Sequence, residues 1–187
     1  ADSIDAAQEI LSSHTPIGCW TYLVTDGKRK EVLCWEENPD RNAATRPAEG
    51  EDTFSYTNVY IDAELGKTEL DVYGSYWRHN QGRWSRAKAR LEEGHGAHDA
   101  TSMAGILADL GSGPCRFRDA ARMLLTVGSV VFRPEDGALW VSTGEAPVSQ
   151  NTFVPFSLAR EGHAPELGEL TDHAPRQPEA EAAFAAY

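Results

Sequence analysis

The chain has 187 residues, 41% of them hydrophobic, and a formal net charge of −12. Its length and composition suit a globular fold with one substantial core. The acidic balance argues against a nucleic-acid surface and against anionic membranes, both of which require basic side chains, and no run approaches the roughly 20 apolar residues of a membrane span.

The N-terminal segment predicts a short helix. Asp2–Ser13 places Ile4, Ala7, Ile10 and Leu11 on one face, and Asp2 or Ser3 is a suitable cap. Residues 1–16 lack the basic stretch and apolar core of a signal peptide, so we expect a cytoplasmic protein.

A β-hairpin is predicted next, because Cys19–Thr25 and Lys30–Glu36 flank an Asp-Gly pair. Polar residues with Pro and Gly predict a loop over 37–52. The alternating pattern of Thr53–Ile61 then predicts a further strand, which would carry Asn58.

Three cysteines without regular spacing, Cys19, Cys34 and Cys115, do not form a disulfide framework. A two-residue turn at Asp26-Gly27 would place Cys19 opposite Cys34 across the hairpin, where the two could pair. A turn over Asp26–Arg29 would place Thr21 opposite Cys34 instead. We interpret Cys19 and Cys34 as small apolar residues in a reducing compartment.

The second half predicts helices and another hairpin. Residues 73–93 are amphipathic, with Arg83, Arg86 and Arg90 to one side, and Asp99 caps a predicted helix over Thr101–Leu110. Two apolar strands joined by Pro-Glu-Asp-Gly follow within 124–143, then an irregular Pro-rich tail and a short helix at Glu179–Ala186. This order predicts a single α+β domain, 1–187, with antiparallel sheet.

Three segments in order carry a family resemblance: Tyr56-Thr57-Asn58, Asp99–Arg118 and the hairpin of Thr126–Ser149. They resemble the later part of the penicillin acyltransferase-like peptidases, members of the N-terminal-nucleophile (Ntn) hydrolase superfamily to which the bile-salt hydrolases are related. The resemblance implies an αββα sandwich and an amide hydrolase or acyltransferase that forms a thioester. It implies no metal or nicotinamide cofactor.

The nucleophile of that family is a cysteine at the first position of the mature chain. This chain begins with Ala1, which has no nucleophilic side chain. We therefore expect the chain to be the larger C-terminal part of such an enzyme. A nucleophile-bearing companion chain or segment and a small-molecule amide or acyl substrate are the expected partners.

The resemblance also assigns site residues. Asn58 matches the Thr-Asn motif of the family's oxyanion-hole asparagine, whose side-chain amide donates hydrogen bonds without charge. Gly82–Ala87 resembles the Ser-Arg-Phe-x-Arg-Ala segment of bile-salt hydrolases, which implies that Arg83 supports the thiolate, with Arg78 as the reserve candidate. Trp77 and Trp84, next to arginines, are the aromatic residues that we expect to line a substrate pocket.

Two other hypotheses remain open. The chain could be a non-catalytic binding or assembly subunit on the same fold, or an unrelated thiol enzyme that uses Cys115 or Cys19. No metal site is predicted, because glycines interrupt the segment of His95 and His98 and no other ligands have suitable spacing.

Overall fold

A computed structural model describes residues 1–70, 76–111, 120–123, 126–174 and 178–186, without the side chains of Tyr76, Trp77, Ala180, Glu181, Ala183 and Phe184. The chain divides into two compact units, Ala1–Trp77 and Arg78–Tyr187. Each unit contains one antiparallel sheet accompanied by helices, so the α+β class is confirmed. The single domain over 1–187 stays a prediction.

The first unit contains a three-stranded sheet with the order β1-β2-β3. Its elements are α1 (Ile4–Ser12), β1 (Trp20–Asp26), β2 (Glu31–Asn38), β3 (Arg41–Thr45) and the short helix α2 (Ala63–Gly66). The predicted N-terminal helix is confirmed: the Ser3 side chain caps α1 by accepting the N–H of Ala6 at 3.1 Å, and Ile4 and Ala7 are buried.

The predicted β1–β2 hairpin is confirmed, but both predicted registers are wrong. Leu23 lies opposite Cys34, and a four-residue connection joins Asp26 to Glu31. The Asp26 carboxylate shapes this turn, because its Oδ1 accepts the N–H groups of Lys28 at 2.9 Å and of Arg29 at 3.0 Å. Cys19 therefore precedes β1, away from Cys34.

Two predictions about the following segment are wrong. Residues 37–52 contain β3, because the Asn38 side chain accepts the N–H groups of Asp40 and Arg41 and closes a tight β2–β3 hairpin. Thr53–Ile61, predicted as a strand, forms none. At its end, side-chain carboxylates accept the N–H groups of Tyr60 and Ile61 in place of a neighbouring strand.

The second unit contains a four-stranded sheet with the order β4-β5-β6-β7. Helix α3 (Tyr76–Glu93) begins two residues before this unit and continues into it. The other elements of the unit are α4 (Ala100–Leu107), β4 (Val130–Arg133), β5 (Ala138–Ser142), β6 (Phe153–Ser157), β7 (Gly162–His163) and α5 (Pro178–Ala185). The helices predicted near α3, α4 and α5 and the Pro-Glu-Asp-Gly hairpin are confirmed. Strands β6 and β7 were missed, since Pro155 in β6 favours a loop interpretation.

The core of this unit lies where α4 packs against the sheet. Its cluster is Ala104, Val131, Ala138, Trp140, Phe153 and Leu170. Asp99 begins α4 through a capping box with Ser102, which fixes where the helix starts. The Trp140 indole donates to the backbone oxygen of Gly168 at 2.9 Å, so its one polar group is satisfied.

Phe153 gives the most direct test of this core. Phe153→Ala removes a ring that is 0% exposed, and we expect the free energy of unfolding to fall by about 3–5 kcal/mol. Phe132→Ala is the matched control: Phe132 lies on β4 but is 59% exposed, so its loss should cost below about 1 kcal/mol. Urea denaturation measures both, and equal losses would contradict this core.

Candidate functional site

A groove of about 610 Å³ lies in the first unit, within the size range that binds small molecules. Three stretches of chain form it: the start of β1, the loop before α2 and the segment after α2. The lining residues are Cys19, Trp20, Thr21, Tyr56, Asn58, Val59, Tyr60, Thr68, Glu69 and Leu70.

Two carboxylates hold the loop that forms one wall of the groove. Glu36 on β2 is 0% exposed, and its two oxygens accept the N–H groups of Ile61 at 2.6 Å and Asp62 at 2.8 Å. Glu69 accepts the N–H of Tyr60 at 2.7 Å. These bonds satisfy donors that a strand would have paired, which explains why the loop is not a strand.

Two tyrosines bring hydroxyl groups into the groove. The Tyr56 hydroxyl hydrogen-bonds Thr21 Oγ1 at 2.6 Å, and that of Tyr60 donates to the backbone oxygen of Glu37 at 2.9 Å and contacts the Cys19 thiol. Burial raises the pKa of Tyr56 to about 12, and burial followed by the Cys19 contact raises the pKa of Tyr60. Both phenols are therefore neutral near pH 7.

The thiols of the first unit differ in access. Cys34 is 0% exposed, and burial, with a smaller contribution from the Glu36 charge, raises its pKa to about 12. Cys34 is therefore an unreactive thiol. Cys19 is exposed and lines the groove, and both cysteines are free. Cys115, the other thiol considered from the sequence, lies outside the described residues.

Asn58 lines the same groove as Cys19, although its predicted position on a strand is wrong. It lies in the loop held by Glu36 and Glu69, and it is exposed. The loop thus brings an amide side chain and a thiol, 39 positions apart in the sequence, to one site.

The predicted arginines belong to the second unit. The Arg83 guanidinium donates to Asn80 Oδ1 at 3.1 Å and to the backbone oxygen of Ala121 at 3.5 Å. Arg86 makes two hydrogen bonds of 3.1 and 2.8 Å with the carboxylate of Asp109. Asp109 is only 9% exposed, and its buried charge requires such a partner.

The remaining predicted side chains also lie in α3. Arg78 is exposed near its start, and Trp84 is partly exposed with the Lys88 ammonium 5.6 Å from the ring centre. The side chain of Trp77 is outside the described part of the chain. Among the predicted site residues with described side chains, the groove contains Asn58, and it is also lined by Cys19, which the sequence suggested only as an alternative nucleophile.

A second groove, of about 640 Å³, lies in the second unit beside the loop of Thr143–Pro147. Its described lining offers hydroxyl and amide groups but no thiol. In the described ranges no three His, Cys, Asp or Glu side chains are grouped as metal ligands, and no helix there has both the length and the apolarity to cross a membrane.

Comparison with known proteins found no matching family model, no matching curated protein and no matching solved structure. The Ntn-hydrolase resemblance therefore rests on the sequence motifs alone.

Sequence reasoning missed the roles of Glu36, Tyr60 and Glu69. A signal was present: Glu36-Glu37 directly follows the apolar run Val32–Trp35 in a strand. Because both carboxylates are buried, each requires donors, and Glu37 accepts hydrogen bonds from the Trp35 indole at 2.8 Å and from His14 at 3.1 Å.

The pH dependence of stability tests the role of Glu36. Burial raises the pKa of Glu36, and the nearby carboxylates of Asp62 and Glu69 add to the rise, although the two N–H donors lower it. The folded chain therefore holds this proton more tightly than the unfolded chain. The free energy of unfolding should fall as pH rises above the ordinary glutamate pKa of about 4.3 and through the raised pKa.

Glu36→Gln removes this titration. Urea denaturation across pH 4–8 should show wild type losing stability relative to Glu36→Gln as pH rises. In the Gln side chain an NH2 group replaces one carboxylate oxygen, so the N–H group of either Ile61 or Asp62 loses its acceptor. Hydrogen exchange of that N–H group should therefore accelerate. Glu31→Gln, at an exposed position of the same strand, is the control and should follow wild type. Parallel curves for wild type and Glu36→Gln would refute the assignment.

Proposed function

We propose that the chain is an amide hydrolase or acyltransferase that forms a thioester on Cys19. The observation that carries this proposal is the shared groove of Cys19 and Asn58. An accessible thiol and an amide donor are the two groups that acyl transfer requires first. The sequence resemblance to Ntn hydrolases supports the same reaction class. We extend the proposal to the fold, for which we propose the αββα sandwich that the resemblance implies.

In the proposed reaction the sulfur of Cys19 adds to the carbonyl carbon of an N-acyl amide. The carbon–nitrogen bond then breaks, and the amine leaves with the thiol proton. The acyl group remains on sulfur as a thioester. Water, or a second amine, then attacks the thioester and regenerates the thiol, giving a carboxylic acid or a new amide.

Asn58 has the role of the oxyanion donor. A side-chain amide stabilises the negative oxygen of the tetrahedral intermediate without adding charge, and its effect is largest where water is partly excluded. Tyr60 contacts the thiol and donates to a backbone oxygen, so it positions Cys19 within the groove. Trp20, Val59 and Leu70 provide apolar surface for the acyl group.

The family resemblance suggests the base of this mechanism. In Ntn hydrolases the amino group of the nucleophile residue itself accepts the thiol proton. The amino group of Cys19 becomes free only if the peptide bond between Gly18 and Cys19 is hydrolysed. This bond lies before β1, directly ahead of a residue that lines the groove. A cytoplasmic, reducing setting suits the mechanism, since Cys19 must stay a thiol.

The expected companion segment, with its own nucleophile, stays a prediction and competes with Cys19. The predicted support of a thiolate by Arg83 also stays a prediction. A binding or assembly subunit without catalysis is the remaining alternative.

Replacement of Cys19 tests the nucleophile. Cys19→Ala should lower hydrolysis of a p-nitrophenyl acyl ester by more than about 10³, because the attacking atom is lost. Cys115→Ala is the matched variant and should retain activity. Loss of activity only in Cys115→Ala would favour the alternative thiol enzyme, whereas no activity in wild type without an added segment would favour the companion nucleophile.

Replacement of Asn58 tests the oxyanion donor. Asn58→Ala should lower kcat for an amide substrate by on the order of 10²–10³ with KM nearly unchanged, because the interaction forms in the transition state. Asn42→Ala, at an exposed position on β3, is the control for loss of an asparagine in the same unit. If both variants retain the wild-type rate, Asn58 has no catalytic role.

A further inference from the structure

The charge of the groove is set by one side chain. Among the described residues that line it, Glu69 is the only charged one, and the others are apolar, aromatic or neutral polar. Tyr60 uses Oε1 of Glu69 through its N–H at 2.7 Å, which leaves Oε2 for a ligand. The backbone contact also fixes the carboxylate at the groove wall.

The surroundings strengthen this negative charge. The carboxylates of Glu36 and Glu69 add to the rise in the pKa of Tyr56, whose first cause is burial. Glu69 likewise adds to the raised pKa of Tyr60. Lys67, the nearest basic residue in the sequence, forms an ion pair with Glu64. A ligand cation in the groove would therefore meet the Glu69 carboxylate while the nearest basic side chain in the sequence is already paired.

Aromatic side chains complete the environment. Trp20, Tyr56 and Tyr60 line the same groove, and aromatic faces attract ammonium groups through their electron-rich surface. The combination of one carboxylate with several aromatic rings is complementary to a cation on an otherwise apolar molecule. An anionic ligand would instead meet like charge.

We infer that Glu69 selects N-acyl amides whose amine half carries a positively charged group in addition to the nitrogen of the scissile amide, as N-acyl diamines do. The inference rests on the proposed function of Cys19 and names its substrate class. Tyr60 spans the site, since its hydroxyl contacts Cys19 and its N–H bonds Glu69. The ammonium group and the scissile amide are accordingly separated by a few carbon atoms.

Three amides with one acyl group test this specificity. They are N-octanoyl-cadaverine, which is cationic, N-octanoyl-pentylamine, which is neutral, and N-octanoyl-6-aminohexanoate, which is anionic. Wild type should show kcat/KM in that order, with about tenfold or more between the cationic and neutral compounds, as for a charge-assisted hydrogen bond. Equal rates, or a preference for the anion, would overturn the inference.

Two variants assign the preference to Glu69. Glu69→Gln keeps an oxygen for the N–H of Tyr60 but loses the charge, and it should reduce the cation-to-neutral ratio to near one. Glu64→Gln, on α2 and paired with Lys67, is the control and should keep the wild-type ratio. A ratio unchanged in Glu69→Gln would assign the preference elsewhere and contradict the inference.

Hydrolysis of p-nitrophenyl octanoate separates failure of this inference from failure of the proposed function. The ester has no amine half, so its Cys19-dependent hydrolysis should be the same in wild type and Glu64→Gln. No Cys19-dependent hydrolysis would sink the proposed function itself. Normal ester hydrolysis without discrimination among the amides would sink only the role of Glu69. If Glu69→Gln also loses ester hydrolysis, the order of kcat/KM that wild type shows among the three amides decides whether the site prefers a cation.

Discussion

The hydrogen bonds between the buried Glu36 carboxylate and the backbone of Ile61 and Asp62 determine the geometry of the candidate site. They attach an irregular loop to the central strand of the first sheet. Without them, the N–H groups of Ile61 and Asp62 would be unsatisfied donors, and the loop that carries Asn58 and Tyr60 would lose two of its hydrogen bonds to β2. The site thus depends on a residue that does not line the groove.

The groove also has an electrostatic character. Glu69, the only charged side chain among the described residues that line it, makes the site negative. The proposed chemistry needs a base close to the sulfur, because the thiol must lose its proton when the sulfur attacks the carbonyl carbon. The amino group of Cys19 itself meets that need if the preceding peptide bond is cut. The negative charge of the site also favours a substrate with a cationic amine half over one with an anionic amine half.

Local sequence signals predicted much of the fold. Caps, turns and apolar periodicity located α1, α3, α4 and both hairpins, because these depend on residues close in sequence. The loop of Thr53–Ile61 could not be predicted in this way, since its strand-like alternation is overridden by bonds to Glu36, some 25 positions earlier. Strand β6 was hidden by Pro155. The family resemblance identified Asn58 as a candidate site residue. The position of Asn58 in the same groove as Cys19 and Glu69, however, depends on tertiary contacts.

The attachment point of the acyl group tests the central claim most directly. Wild-type protein incubated briefly with p-nitrophenyl octanoate and quenched in acid should contain one octanoyl thioester. Peptide mapping by mass spectrometry should assign it to Cys19, on a fragment that begins at that residue. An octanoyl group on Cys19 within an uncut chain would contradict the amino-group base. An octanoyl group on Cys115, or none in active protein, would contradict Cys19 as the nucleophile.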